Sequence, residues 1–125
     1  MHRIILVAIL TLVVPLAVAQ QEGAASVKEV NEMYLAMAGM FGTGLGHGEH
    51  CQLPAALIAE ARKHMLETYV QLARGLHVDL KIEDLQHKAE EGRQAFLDAA
   101  KTTGQQSSPE MCQEVRKILE KDAGR

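Results

Sequence analysis

The chain has 125 residues, a formal net charge of −3, 47% hydrophobic residues and 3% aromatic ones, with no tryptophan. That length supports a single modest core. Mild acidity without clustered Lys and Arg on one face excludes the phosphate backbone of a nucleic acid as a ligand.

The first element reads as an address. Met1-His2-Arg3 precede an apolar stretch from Ile4 to Val14, and Pro15-Leu16-Ala17-Val18-Ala19 closes it with a small-x-small ending. A short basic start, an apolar centre and such an ending make a secretory signal peptide, with cleavage expected after Ala19. A membrane anchor would need about 20 apolar residues, and Pro15 interrupts this run. No cysteine adjoins the cleavage point, so nothing marks a lipid-modified end, and the membrane is met only in transit. Removing 19 of the 125 residues leaves one expected domain, residues 20–125, and loss of Arg3 takes its charge from −3 to −4.

Ser26 is a plausible N-cap, and Val27, Val30, Met33, Tyr34, Met37 and Met40 then recur at helical spacing. A first helix is expected from Val27 to about Met40. Gly39, Gly42, Gly44, Gly46 and Gly48 should end it, each disfavouring helix by about 1 kcal/mol relative to alanine. The second helix is expected to open with Pro54 at its first position and to close on Gly75 as a left-handed terminal residue. Leu57, Ile58, Ala61, Met65, Tyr69, Leu72 and Leu76 form its expected buried stripe.

In the third helix Ile82, Leu85, Ala89, Gly92, Phe96 and Ala99 alternate three and four apart, and the small Ala89 and Gly92 permit a close helix neighbour. A polar loop over 102–108 ends in Ser108-Pro109-Glu110, a strong start signal for a fourth helix to about Lys121 that buries Cys112, Val115 and Leu119. No segment has the pattern of a strand. The expected fold is all-α, a compact four-helix bundle.

Export sets the reading of the two cysteines, since thiols pair in an oxidising compartment. A Cys51–Cys112 disulfide would staple the last helix to the junction of the first two. Closing a loop of about 60 residues restricts the unfolded chain by on the order of 4 kcal/mol.

The densest group of reactive side chains is Gly46-His47-Gly48-Glu49-His50-Cys51. Imidazole and sulfur suit zinc or copper, but a disulfide consumes the sulfur, leaving His47, Glu49 and His50 as candidate metal ligands in a glycine-rich loop. The alternating glycines lack the preceding strand that a phosphate-cradling loop needs. Glu60, His64 and Glu67, at i, i+4 and i+7, could serve acid–base chemistry, although ordinary surface pairing accounts for them. His77 and His87 stand alone, and no serine has a placeable histidine and acid. No catalytic constellation and no cofactor is implied. Met33, Met37 and Met40, with Met65 and Met111, could instead form an adaptable apolar surface for a partner helix or an unfolded chain.

Export, Cys51, the Leu53-Pro54 helix start and Ser108-Pro109-Glu110 with Cys112 in the last helix together resemble the layout of helical type II secretion pilotins. The same layout is similar, more loosely, to periplasmic acid-stress chaperones and to helical immunity proteins of type VI secretion. The resemblance implies a small helical exported protein that works by binding another protein. From the export signal, the expected disulfide and the absence of a catalytic constellation, the expectation is a non-enzymatic periplasmic or secreted protein whose Met33, Met37 and Met40 meet a protein or peptide partner. Its rival is a small metal- or ligand-binding protein that uses His47, Glu49 and His50.

Overall fold

The computed structural model describes residues 25–125, so the expected signal peptide (1–19) and residues 20–24 lie outside it. It is a four-helix bundle: α1 (Val27–His50), α2 (Ala55–Gly75), α3 (Ile82–Thr103) and α4 (Pro109–Asp122), with no strand among the described residues. None of these helices is long and apolar enough to cross a membrane.

The N-caps of α1 and α4 are where the sequence places them. Ser26 Oγ accepts from the Glu29 amide at 3.1 Å, and Ser108 Oγ from the Met111 amide at 3.1 Å. Each satisfies one of the free donors of a first turn.

The C-terminus of α1 is a correction. The helix does not stop near Met40 but runs ten residues further to His50, through all five glycines. Helix propensity loses here to packing, because glycine is the residue that allows two backbones to meet. A methyl group at Gly42 would stand 1.9 Å from the Ala89 carbonyl oxygen, one at Gly46 2.7 Å from the Arg93 carbonyl oxygen, and one at Gly92 2.0 Å from the Gly39 carbonyl oxygen. α1 and α3 therefore lie backbone to backbone along this seam, close enough for Cα–H···O contacts to replace side-chain interdigitation. The close approach expected at Ala89 and Gly92 is present, and α1 is the helix that makes it.

The stripe of α2 also departs from expectation. Leu57, Ala61 and Tyr69 are buried as expected, but so are Leu66 and Ala73, whereas Leu72 and Leu76 are exposed. Two separate clusters explain this. The first half of α2 sends Leu57 and Ala61 to a group with Leu45, Val115 and Leu119. The second half turns Leu66, Tyr69 and Ala73 to a larger group with Val30, Tyr34, Ala38, Val78, Leu80, Leu85 and Ala89. At 100° per residue these two sets occupy different sectors of the same helix, so no single stripe describes it. Tyr34 and Tyr69 meet in the larger cluster with ring centroids 5.8 Å apart.

Pro54 is the N-cap of α2 rather than its first helical residue, and Gly75 is an ordinary last helical residue. The left-handed position belongs to His77, at φ 61°. The Val78 amide donates to the Ala73 carbonyl and the His77 amide to that of Arg74, both at 2.9 Å, the paired bonds of a Schellman ending. α3 runs to Thr103 and ends on Gly104 at φ 64°. The Cys51–Cys112 disulfide joins the residue after α1 to the first turns of α4, with its Cα atoms 5.6 Å apart. α4 leans on α1 and α2 but does not pack against α3, its neighbour in sequence.

Candidate functional site

Met33, Met37 and Met40 lie on the outer side of α1, within about 60° of one another around its axis at 100° per residue. They are 47%, 36% and 76% exposed. Val30, Tyr34 and Ala38 are the residues that α1 turns inward, so the methionines do not serve as core filling. Gly44 continues the row, with nothing within 4 Å of where its Cβ would stand. Beside the row, the α1–α3 seam opens a groove of about 560 Å³ lined by Glu32, Leu35, Ala36, Gly39, Lys88, Glu91 and Gly92. The result is a shallow apolar strip rimmed by charge. Of the other two methionines grouped with these, Met65 packs against the larger core cluster and Met111 lies elsewhere, on α4.

His47, Glu49 and His50 are not in a loop. They occupy the last turn of α1, and the structure separates them. The Glu49 carboxylate accepts from Arg93 Nη1 at 2.6 Å, and Arg93 also donates to Glu90 from Nε at 2.8 Å and from Nη2 at 2.5 Å. Glu90 in turn lies 3.8 Å from Arg62 of α2, so two carboxylates and two guanidiniums alternate across three helices. The Arg93 hydrogen bonds hold the Glu90 carboxyl below its ordinary range and push the guanidinium's own pKa upward.

The two histidines face a different neighbourhood. They stand where α3 and α4 diverge, in a cavity of about 400 Å³ lined by Phe96, Ala99 and Ala100 of α3, residues 105–108 of the loop and Met111 of α4. The His47 ring stacks on Phe96 at 4.8 Å between centroids, and His50 meets the same ring edge-on at 6.1 Å. His47 Nε2 lies 2.8 Å from the Ser107 hydroxyl, and His50 Nε2 lies 3.2 Å from the Gln105 carbonyl oxygen. A carbonyl can only accept, so in the neutral ring Nε2 of His50 carries the proton and Nδ1 the lone pair. Burial first, and the neighbouring His50 second, lower the pKa of His47. Among the described residues, no three His, Cys, Asp or Glu side chains gather in a way that could hold a metal ion.

The Glu60, His64 and Glu67 set is dispersed by the C-terminal turn. His64 Nδ1 donates to the Asp122 carbonyl at 2.7 Å, and Glu60 pairs with Arg125 at 2.7 Å. Both side chains thus fasten the end of α4 to α2, and no carboxylate bonds the imidazole. His77 serves the α2 ending, and His87 pairs with Glu91 at 3.0 Å on the surface. Nothing in the sequence marks Phe96, Ser107 and Met111 as neighbours of the histidine pair. Only the i, i+3 spacing of His47 and His50 was available as a signal, and it becomes meaningful once the helix is known to continue that far.

No protein-family model, curated protein or solved structure matches the chain, so its two candidate surfaces stand on their own chemistry.

Proposed function

We propose that this is an exported, non-enzymatic helical binding protein of the bacterial periplasm, which presents the outer face of α1 to a protein or peptide partner. Secretion accessories, chaperones and immunity proteins work in this manner. The observation that carries the proposal is the row Met33, Met37 and Met40, three long apolar side chains held in line and in contact with water. Isolated exposed apolar residues are ordinary, but a contiguous row beside a groove is the usual mark of an interaction surface. Methionine suits it because an unbranched thioether side chain adapts to partners of different shape. The apolar segment from Ile4 to Val14 and the disulfide support export to an oxidising compartment.

A photo-crosslinking residue placed at Met40 tests this, with the exposed Glu114 on α4 as the reference position. A discrete adduct from position 40, absent from position 114 and abolished by Met33→Glu with Met37→Glu, supports the proposal. Equal and diffuse labelling from both positions would sink it.

A further inference from the structure

The cavity between α3 and α4 carries a second inference, independent of the methionine row. We propose that His47, His50 and Met111 together hold one soft monovalent cation, Cu(I) or its analogue Ag(I). All three side chains line the same cavity, which is about 400 Å³ in volume. His47 and His50 are one turn apart on α1 and so project from the same side of it. Met111 arrives from α4, and the disulfide delivers it. His50 and Met111 each immediately precede a bridged cysteine, and the cysteine Cα atoms are 5.6 Å apart. With about 3.8 Å between consecutive Cα atoms, the backbones of His50 and Met111 are at most about 13 Å apart. The bridge thus keeps the two donors in one neighbourhood.

The donor set selects the ion. Glu49, the carboxylate between the two histidines, is taken by Arg93, and neither it nor Glu110 lines the cavity. Both sulfurs of the cystine are bonded to each other, so the thioether of Met111 is the sulfur donor this cavity offers. Two neutral nitrogens and one neutral thioether suit a soft ion of single charge and low coordination number. They suit Zn²⁺ poorly, since it favours four ligands and usually thiolate or carboxylate among them. The surroundings fit a bound metal. The Gln105 carbonyl fixes the proton of His50 on Nε2 and leaves its Nδ1 lone pair for coordination, and the Ser107 hydroxyl holds the His47 ring through Nε2, the kind of outer contact that accompanies ligating imidazoles. Phe96, Ala99 and Ala100 supply apolar walls.

Ag(I) is the probe, because it needs no reductant and leaves the disulfide intact. Native mass spectrometry of the oxidised chain, residues 20–125, should retain one equivalent of Ag(I) and retain Zn(II) far less. The ¹⁵N shifts of the His47 and His50 Nδ1 atoms should move when Ag(I) is added. Met111→Leu should weaken retention by at least about tenfold, and His47→Ala with His50→Ala should abolish it. Changing Met33, Met37 and Met40 together to Leu should leave it intact. Met111 is 52% exposed, so its replacement does not disturb the core. The inference is overturned if wild type retains no Ag(I), if retention survives the double histidine variant, if Met111→Leu retains Ag(I) as tightly as wild type, if the Nδ1 shifts stay fixed, or if the triple methionine variant is the one that loses the ion.

Discussion

Two faces of α1 use glycine to opposite ends. On the inner face, Gly42 and Gly46 are the space into which the α3 backbone fits, and no side chain could take their place. On the outer face, Gly44 opens onto solvent in line with Met33, Met37 and Met40. The same residue type, two positions apart, is a packing requirement in one case and a plain loss of helix propensity in the other. What lies opposite a glycine, and not the glycine itself, decides whether it breaks a helix or builds a bundle.

The contrast can be broken most forcefully at Gly42. Gly42→Ala sets a methyl group against backbone that cannot rotate away, and should lower unfolding stability by on the order of 3 kcal/mol, read from the urea midpoint at constant slope. Little or no loss would mean that the α1–α3 seam is wider than described. Gly44→Ala should do the reverse, raising stability by about 1 kcal/mol through propensity and unfolded-chain entropy. If Gly44→Ala destabilises as Gly42→Ala does, the two faces are not distinct. Smaller still is the effect of Met40→Ser, within about 0.5 kcal/mol in stability, because a side chain 76% exposed has little burial to lose.

The acid limb of the stability curve sharpens the comparison at its finest scale. Glu90 has its pKa lowered, chiefly by the Arg93 hydrogen bonds, in the fold. The unfolded state therefore binds its proton more readily, so this contribution is fully present above the unfolded value of about 4.3 and is lost as pH falls through the lower folded value. Glu90→Gln should flatten that limb slightly. An unchanged acid limb would show that the network beside the seam adds nothing to it.

Much of the fold was legible in local chemistry. Ser26 and Ser108 announce their helices by capping, and the alternation from Ile82 to Phe96 marks a seam with small residues where a neighbour comes close. The Cys51–Cys112 bridge agrees with what two cysteines in a chain expected to be exported imply. What stayed hidden depended on tertiary partners. Gly42 reads as a helix breaker until Ala89 is placed against it. Leu66 and Ala73 read as off-stripe until α2 is seen to serve two clusters in turn. The histidine pair was visible, but its surroundings were not, because Phe96, Ser107 and Met111 come from segments that only the folded chain brings together. Likewise Glu49 looked like a companion of His47 and His50, and no local signal assigns it to Arg93, 44 residues away.

That α4 never packs on α3 has a consequence for how the molecule comes apart. Its attachments run only to α1 and α2, through Val115 and Leu119, the His64 and Glu60 contacts, and the cystine. A helix of 14 residues is marginal in water on its own, whereas α1, α2 and α3 share the larger cluster without it. The bundle is thus a three-helix body to which α4 adds the smaller cluster, and the cystine keeps the first turns of α4 tethered to the end of α1 even if that packing is lost.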